Sequence, residues 1–318
     1  MTSIPERPSI EDIQQAAARI ESYIHRTPVM TSSAIDELSG ATIFFKCENL
    51  QKIGAFKIRG AANAVFSLTE AESAKGVATH SSGNHAAALA QAARWRGIDA
   101  TVVMPSNAPA IKKAAVKGYG ATIVFCEPTL AAREAALARV VEETGAEVIH
   151  PYNDFRVIAG QGTAALELLN EVSSLDAVIA PVGGGGLLSG TALAANAVSS
   201  QTLVYGAEPE LVDDAYQSLK YGRLMPAPTQ KSIADGLLTA LGDKTFPIIR
   251  DHVAGIILVS EAEIITAMRL IWERCKLVVE PSGAVPLAAV LKNADSFAGK
   301  RVGIILSGGN VDLGGLPF

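Results

Sequence analysis

The sequence predicts an α/β fold with two mostly parallel sheets that are flanked by helices. Short apolar stretches of strand length alternate with stretches of helical periodicity along most of the chain, and such alternation is typical of parallel strands joined by crossover helices. The strand stretches are apolar throughout, which indicates strands buried on both faces. The length of 318 residues is sufficient for two α/β domains with separate cores.

The alternation occurs in two series, and this suggests an inserted domain. One series runs from Gly76 to about His150, and the other begins after Pro151. We therefore expect residues 76–149 to form a small α/β domain, inserted into a large domain made of residues 1–75 and 150–318. A polar stretch around Met225 and Pro228 is expected to be a surface loop or lid rather than a linker between domains.

Before the first series, the sequence predicts a helix, a strand and a second helix. Ser9 and Asp12 form a variant of the capping box, and apolar residues recur at three- and four-residue steps from Ile10 to Ile24. A strand is expected at residues 41–46 and a helix at residues 58–68. Lys57 therefore lies where a loop enters a helix.

The two series predict further elements in regular order. In the first series, strands are expected at 77–79, 100–104, 122–125 and 148–149, with helices at 84–96, 110–117 and 130–144. In the second series, strands are expected at 177–181, 203–208, 256–259 and 302–306, with helices at 163–171, 187–196 and 262–275.

Composition and charge favour a small-molecule partner. The net charge is -5 and the basic residues are scattered, so no surface for nucleic acid or for an anionic membrane is expected. No apolar stretch reaches membrane-spanning length, and the first ten residues lack the pattern of an export signal. Cys47, Cys126 and Cys275 are odd in number and widely separated. They suggest neither a disulfide framework nor a metal site, so a reducing cytoplasm is expected.

The stretch from Gly54 to Gly60 contains the first candidate for chemistry. Lys57 stands between Phe56 and Ile58 at the start of an apolar helix. Partial desolvation lowers the pKa of such a lysine and provides the neutral amine that a Schiff base with an aldehyde cofactor requires. A surface lysine whose stem packs on apolar neighbours is the alternative, so the motif needs support from elsewhere in the chain.

A run of four glycines, Gly183 to Gly186, is the strongest signal for a phosphate group. It follows a predicted strand and precedes Leu187 at the start of a helix. Without Cβ atoms, successive backbone N–H groups can converge on an anion, and the helix N-terminus adds positive potential. The run lacks the lysine and the hydroxyl residue of a P-loop, and no GxGxxG follows it. The alternative is a turn that merely lets a helix and a strand approach each other.

Two further strand ends carry polar residues. Between His80 and His85, two hydroxyls, an amide and free backbone N–H groups could hold a carboxylate, although an ordinary helix cap uses the same residue types. After the strand at 302–306, Ser307 could hydrogen-bond a ring nitrogen without protonating it. The stretch from Leu306 to Asn310 could also be a simple exit from the strand.

Together, and in this order, the four motifs resemble those of the fold-type II enzymes that use pyridoxal 5′-phosphate (PLP), in particular the family of serine racemase and the serine/threonine dehydratases. The resemblance extends over nearly the whole chain and implies two open, twisted sheets of the tryptophan synthase β type. It implies that Lys57 binds the cofactor covalently, that Phe56 packs near its ring and that Ser307 faces its pyridine nitrogen. It further implies that Asn84 bonds the ring hydroxyl and that the phosphate is held by Gly183, Gly184, Gly185, Gly186 and Leu187.

The same resemblance implies a substrate site, a cation site and a homodimer. The substrate would contact Ser81, Ser82, Gly83, Asn84 and His85. A divalent cation, Mg²⁺ or alternatively Ca²⁺ or Mn²⁺, would be held by the carboxylates of Glu208 and Asp214 and by the carbonyl of Val212, with water completing the shell. Exposed acids at a strand end are also common without a metal.

The expected reaction is β-elimination from a β-hydroxy amino acid such as L-serine or L-threonine, which yields a keto acid and ammonia. Lys57 would remove the α-proton, and reprotonation by Ser82 from the opposite face would give racemisation instead. Because Ser307 cannot keep the pyridine nitrogen protonated, the ring is a weaker electron sink, which favours elimination. A substrate with a second carboxylate, such as 3-hydroxyaspartate, would need a nearby cation, for which Arg133 and His80 are candidates. Arg133 could equally be a solvated residue on its helix.

Three alternatives compete with this interpretation. A sulfhydrylase-type synthase of the same fold class is disfavoured. The corresponding loop of those enzymes is similar to Thr-Ser-Gly-Asn-Thr, whereas this chain has Ser-Ser-Gly-Asn-His at residues 81–85. A racemase with little lyase activity fits the same residues. A non-catalytic cofactor-binding module would require neither Lys57 nor Ser82. The residue two before the lysine is Ala55, where many dehydratases have serine, so the preferred substrate stays open.

Overall fold

The structure is a computed structural model that describes residues 7–318. The first ten residues, from which no export signal is expected, lie largely outside this range. The strands are β1 Val29–Met30, β2 Thr42–Lys46, β3 Val77–His80, β4 Ala100–Pro105, β5 Thr122–Cys126, β6 Glu147–Val148, β7 Ala177–Pro181, β8 Leu203–Pro209, β9 Gly255–Val259 and β10 Arg301–Ile305. The helices are α1 Ile10–Ile20, α2 Ser33–Ser39, α3 Lys57–Phe66, α4 Glu70–Ser73, α5 Asn84–Arg96, α6 Ala110–Gly118, α7 Leu130–Thr144, α8 Phe155–Glu171, α9 Gly186–Val198, α10 Asp214–Tyr221, α11 Thr245–His252, α12 Glu261–Leu270, α13 Pro281–Lys292 and α14 Ala294–Phe297.

The strands form two sheets, as the sequence predicts. The larger sheet has the order β1-β2-β10-β7-β8-β9, in which β1 pairs antiparallel with β2 and the other neighbours are parallel. The smaller sheet has the order β5-β4-β3-β6 and is parallel throughout. Buried apolar residues line the helices and strands of both, so the prediction of mostly parallel sheets flanked by helices is confirmed.

The strands of the smaller sheet all lie between Val77 and Val148, and those of the larger sheet lie outside this range. We retain the division into an inserted domain at 76–149 and a large domain as a proposal. Between residues 7 and 318, no helix is both long enough and apolar enough to cross a bilayer.

Helix α8 differs most from its predicted extent, since it begins at Phe155 rather than Thr163. Asp154 caps its N-terminus by accepting a hydrogen bond from the Arg156 N–H at 2.8 Å. Glycines in its first half weaken the helical pattern in the sequence. They are needed for packing, because a Cβ on Gly160 would lie 2.6 Å from the carbonyl oxygen of Arg59.

Several helices were not predicted. Helix α13 is buried on all sides and contains Pro286, so its sequence has no amphipathic period to detect. Helices α2, α10 and α11 are short, at seven or eight residues, and short segments give weak periodicity. The helix expected at 262–275 is divided into α12 and a π-helical turn at Ile271–Cys275.

Helix α3, which begins at Lys57, is fixed by a buried group of charges that we call the arginine cluster (Lys46, Glu48, Arg59 and Glu167). Arg59 is fully buried and donates to both Glu48 oxygens at 2.7 and 2.8 Å and to both Glu167 oxygens at 2.7 and 2.9 Å. Its remaining N–H reaches Thr163 at 3.1 Å. Lys46 donates to Glu167 at 2.5 Å. Two positive and two negative charges thus join β2, α3 and α8 in a neutral group.

Candidate active site

The candidate site lies at the carboxyl ends of parallel strands. The loop from Ser81 to Gly83 follows β3, the glycine run follows β7, and Ser307 follows β10 after one intervening residue. Strands β7 and β10 are neighbours in the larger sheet, whereas β3 belongs to the smaller one. Ligands of open α/β sheets usually bind at such strand ends.

Lys57 points into the protein rather than into solvent. It is half-buried, and its ammonium donates a hydrogen bond to the Pro151 carbonyl oxygen at 2.9 Å. The same nitrogen lies 5.1 Å from the centre of the Phe56 ring. Burial lowers the pKa of Lys57 to about 8, although the charge of Glu280 opposes this shift. A larger fraction of the amine is therefore neutral near pH 7 than for an exposed lysine.

The loop before Lys57 pairs with the chain that leaves β10. The Phe56 N–H donates to the Ser307 carbonyl at 3.0 Å, and Ala55 forms an antiparallel bridge with Gly308. Ser307 is buried. The residues that follow β10 therefore do more than leave the strand, because they hold the loop before Lys57 at the edge of the sheet.

The glycine run forms the turn from β7 into α9, and only Gly185 has a left-handed backbone, with φ of 88°. A Cβ on Gly184 would lie 2.3 Å from the Tyr152 ring, and one on Gly183 would lie 2.9 Å from Leu237. Close packing alone therefore requires glycine at these positions, whether or not an anion binds in the turn. The first N–H groups of α9 lie in this turn and are suited to a phosphate.

The loop after β3 enters α5 at Asn84. Residues Ser81, Ser82 and Gly83 are half-buried, so their hydroxyls and N–H groups can reach a small ligand at the helix N-terminus. His85 is buried, and it donates from Nε2 to the Ile149 carbonyl at 3.0 Å. Burial lowers the pKa of His85 to about 3. It can therefore offer its backbone N–H to a substrate, but not a positive charge.

Two residues next to this loop were given no role in the sequence analysis. Glu280 is buried and accepts hydrogen bonds from Asn84 Nδ2 at 3.0 and 3.3 Å. Asn310 donates from Nδ2 to Asn84 Oδ1 at 2.9 Å. The signal that could have identified Glu280 is its sequence context, since it is an isolated acid between an apolar stretch, 277–279, and Pro281.

A group of nitrogen-bearing side chains surrounds the same loop. The His80 and His150 rings meet edge to face at 6.0 Å, and Tyr152 packs on His150 at 4.6 Å. Burial, followed by the charge of Arg133, lowers the pKa of His80. Burial and the neighbouring His80 lower the pKa of His150 to about 4. Arg133 is half-buried on α7, and its guanidinium donates to the Thr129 carbonyl of the same helix start at 3.4 Å.

The residues predicted to bind a cation lie at the end of β8 and the start of α10. We call Glu208 and Asp214 the acid pair. Glu208 accepts N–H bonds from Ala215 and Tyr216, both at 2.9 Å, whereas neither buried Asp214 oxygen has a hydrogen bond of good geometry. Burial is the main cause that raises the pKa of Glu208 to about 9 and that of Asp214 to about 6. The N–H groups of Asp214 and Leu241 offset only part of the latter shift.

Within residues 7–318, no three His, Cys, Asp or Glu side chains converge in a way that could hold a metal. Any cation at the acid pair would therefore depend on backbone carbonyls, such as that of the buried Val212, and on water. Two buried carboxylates of like charge are otherwise unfavourable, so the donor set fits a divalent cation.

Known proteins resemble this chain along most of its length. The family model described as pyridoxal-phosphate dependent enzyme matches residues 20–308. A β-hydroxyaspartate dehydratase of Paracoccus denitrificans is 55% identical over 311 residues, which cover 98% of this chain and 99% of the relative. The crystal structure of serine racemase from Dictyostelium discoideum has a TM-score of 0.93 and 53% identity, over 96% of this chain and 99% of the other.

A third match, the crystal structure of T.th. threonine deaminase, has a TM-score of 0.91 and 47% identity, over 96% of this chain and 99% of the other. These solved neighbours are fold-type II PLP enzymes, which confirms the predicted fold type. The resemblance inferred from the four motifs is also confirmed. The chain belongs to the family of pyridoxal-phosphate-dependent enzymes.

Proposed function

We propose that this protein is a PLP-dependent ammonia-lyase that removes the β-hydroxyl of 3-hydroxyaspartate and, less efficiently, of L-serine or L-threonine. The observation that carries this proposal is the half-buried Lys57 amine with its lowered pKa, which points inward and donates to the Pro151 carbonyl oxygen. The products would be water and an enamine that hydrolyses to a keto acid and ammonia.

The residues around Lys57 fit PLP. Phe56 lies beside the amine, the glycine run provides free N–H groups for a phosphate, and Ser307 is a buried neutral hydroxyl. When bound, PLP supplies an aldehyde carbon for the substrate amine and a ring that withdraws electrons from its Cα. Ser307 would hydrogen-bond the ring nitrogen without protonating it.

Other residues would position the substrate and move its protons. The N–H groups at the start of α5 and the Ser81 hydroxyl would hold the α-carboxylate. With its pKa lowered to about 8, the Lys57 amine would suit a general base for the α-proton. The β-hydroxyl would leave as water together with the proton that Lys57 had taken from the α-carbon, which completes the elimination.

The preference for 3-hydroxyaspartate rests on the group formed by His80, His150 and Arg133. A second carboxylate near the β-carbon would pair with Arg133 and would favour protonation of the adjacent imidazoles. Serine and threonine have no group that uses these nitrogens. The name of the Paracoccus relative, β-hydroxyaspartate dehydratase, supports the same substrate class.

Racemisation of serine is a second activity that the loop after β3 favours. Ser82 is half-buried in this loop, and a hydroxyl there could return a proton to the face opposite Lys57. The likeness to the Dictyostelium serine racemase supports this activity. We expect Ser82→Ala to reduce racemisation more than elimination from the L-isomer, whereas equal losses would contradict the two-face scheme.

We also propose that the acid pair and the Val212 carbonyl hold Mg²⁺, or Ca²⁺ or Mn²⁺ in its place. The unpartnered oxygens of Asp214 support this cation site.

A homodimer and a cytoplasmic location are proposed as well. The three cysteines are free thiols, which is compatible with a reducing compartment. Sedimentation analysis of the purified protein would distinguish a dimer from a monomer.

Borohydride reduction of the PLP-loaded protein tests the lysine assignment. We expect a fixed adduct on Lys57 and loss of the visible Schiff-base absorbance in Lys57→Ala. Lys52→Ala is the matched control, because Lys52 is an exposed lysine in the same loop and should keep the absorbance. An adduct on another lysine would overturn the assignment.

The substrate preference is tested by following keto acid, ammonia and D-isomer with L-serine, L-threonine and 3-hydroxyaspartate separately. Arg133→Gln should lower kcat/KM for 3-hydroxyaspartate by roughly 10- to 100-fold, the range expected for one charge-assisted contact, and should change serine turnover little. Arg139→Gln, an exposed change on the same helix, should leave both rates unchanged. Equal losses with both substrates would contradict a contact with a second carboxylate.

A further inference from the structure

Asn84 is held in a closed ring of hydrogen bonds that contains no other proposed cofactor or substrate residue. Its Nδ2 donates towards both carboxylate oxygens of Glu280, at 3.0 and 3.3 Å. Its Oδ1 accepts from Asn310 Nδ2 at 2.9 Å. The ring closes through the Asn310 N–H, which donates to Glu280 at 3.0 Å.

This ring permits one orientation of the Asn84 amide. A side-chain amide has two N–H donors on one side and an acceptor oxygen on the other, whereas an ionised carboxylate only accepts. If the amide were turned over, its oxygen would face the Glu280 carboxylate and its NH₂ group would face the NH₂ group of Asn310. Both contacts would be repulsive and would leave buried groups unpaired.

Glu280 and Asn310 are themselves held by the loop before Lys57 and by the residues that follow β10. The Glu280 N–H donates to the Gly308 carbonyl at 2.9 Å, and Asn310 Nδ2 also donates to the Ile53 carbonyl at 2.8 Å. The fit leaves no free space, because a Cβ on Gly308 would lie 2.6 Å from a Glu280 oxygen and one on Gly54 would lie 2.4 Å from Asn310 Oδ1.

We propose that Glu280 and Asn310 are positioning residues that orient the Asn84 amide so that its second N–H is available to an oxygen on the cofactor ring. The two Nδ2 distances to a single carboxylate correspond to one shared N–H, which leaves the other N–H free. This proposal rests on the assignment of Asn84 to the cofactor in the proposed function. A ring oxygen next to the Schiff base carries negative charge in the active form, so it requires a donor and not the amide oxygen.

The same carboxylate acts on Lys57 through its charge. Glu280 is the charged neighbour that opposes the fall in the pKa of Lys57 caused by burial. Burial raises the pKa of Glu280 itself to about 7, the Asn84 hydrogen bond lowers it, and the charges of Asp235 and Lys112 act in opposite directions. Loss of the Glu280 charge should therefore also shift the titration of the lysine.

Glu280→Gln tests the proposal. Glutamine keeps the shape of the side chain, but it replaces one acceptor oxygen with an NH₂ group, towards which the Asn84 amide and the Asn310 N–H already donate. We expect about a tenfold weaker binding of PLP, as for loss of one buried hydrogen-bond partner, and a fall in the pH midpoint of the Schiff-base absorbance, because a negative charge near the protonated nitrogen is lost. Glu261→Gln is the matched control. Glu261 likewise accepts one side-chain and one backbone hydrogen bond, from Ser232 and Ile233, and this variant should match the wild type in both measurements.

A double-mutant cycle separates positioning from general support of the fold. In the Asn84→Ala background, Glu280→Gln should cause no further loss of PLP affinity, because there is no amide left to orient. Additive losses would overturn the proposal, and so would wild-type PLP affinity and titration midpoint in Glu280→Gln. If Glu280→Gln does not fold, Asn310→Ala at an exposed position should also weaken PLP binding. Unchanged binding in that variant would overturn the proposal.

The proposed function can fail independently of this proposal. If Schiff-base absorbance persists in Lys57→Ala, the lysine assignment is wrong whatever Glu280 does. If it is lost in Lys57→Ala while Glu280→Gln behaves like Glu261→Gln, the function stands and only the orienting role of Glu280 and Asn310 is refuted.

Discussion

The arginine cluster and the acid pair are two groups of buried charge that differ in how their charges are paired. In the arginine cluster, all five N–H groups of Arg59 have acceptors and the charges sum to zero. In the acid pair, two carboxylates of the same sign lie near each other, and both Asp214 oxygens lack a good partner. Burial raises the pKa of both acids.

The difference separates a group whose charges are balanced within the fold from one that, under the cation proposal, a ligand would balance. A fully paired group is complete without any addition, and it fixes β2, α3 and α8 around the lysine. An unpaired group of like charge is unfavourable in the folded state unless something else neutralises it. We therefore expect opposite responses of the two groups to mutation and to added cations.

The largest effect is expected at the arginine cluster. Arg59→Met leaves Glu48 buried with the Thr27 hydroxyl but without a cationic partner, which should lower the free energy of unfolding by about 3–5 kcal/mol. Urea denaturation monitored by circular dichroism would measure it. Arg269→Met, which breaks an exposed pair with Glu273, is the control and should stay close to the wild type. A small loss in Arg59→Met would mean that the cluster contributes little to stability.

Addition of a divalent cation should give the next largest effect. Mg²⁺ or Ca²⁺ at about 100 times its dissociation constant should stabilise the protein by about 2.7 kcal/mol, because it binds the folded state and not the unfolded chain. Thermal unfolding with and without EDTA would measure the change. If neither cation shifts the unfolding temperature, the acid pair does not bind them.

The acid pair itself should lose this response in Asp214→Asn. The change removes a buried charge whose oxygens have no good partner, so the cation-free protein should be at least as stable as the wild type, while added Mg²⁺ should no longer stabilise it. Asp213→Asn provides a neighbouring control at a half-buried position, and it should retain the response. Retention of the response in both variants would place the cation elsewhere.

A smaller, pH-dependent effect should come from His85, a buried base that is neutral and hydrogen-bonded. Its pKa in the folded state is about 3, below the unfolded value of about 6.5. The unfolded chain therefore binds the proton first, and stability falls as the pH is lowered from about 6.5 towards the folded value.

His85→Gln should reduce the slope of unfolding free energy against pH by up to about 1.4 kcal/mol per pH unit between about pH 4.5 and about pH 6. Urea titrations across this range would give the slope. His25→Gln changes an exposed histidine and is the control. An identical slope in wild type and His85→Gln would mean that His85 is not buried as a neutral base.

Much of the fold could be predicted because its strands are buried on both faces and its helices alternate with them. Strand β7 and helices α5 and α7 were predicted with the observed limits. Helix α13 was missed, because a helix buried on every side has no polar face and so no detectable period. The early start of α8 was missed because Gly160, which is required for contact with α3, and Gly162, which packs against α9 and α1, weaken its helical signal.

The candidate site could be predicted only where a motif is local in sequence. Lys57, the glycine run and the loop after β3 are each contained in a few consecutive residues. Glu280 and Asn310 contact Asn84, which is far away in the chain. The isolated position of Glu280 before Pro281 is a weak local signal, but it does not reveal the partner of this acid. Tyr152 likewise meets the glycine run only in the folded protein.

The position of β10 has a consequence for the synthesis of the protein. Although this strand comes from the last part of the chain, it lies between β2 and β7 in the larger sheet. On the ribosome, β7, β8 and β9 can pair as they emerge, and β2 can pair with β1. The other edge of β2 must wait for β10 until translation is nearly complete. A polypeptide released before β10 would therefore lack the residues that pair with the loop before Lys57, so truncated products should not assemble the candidate site.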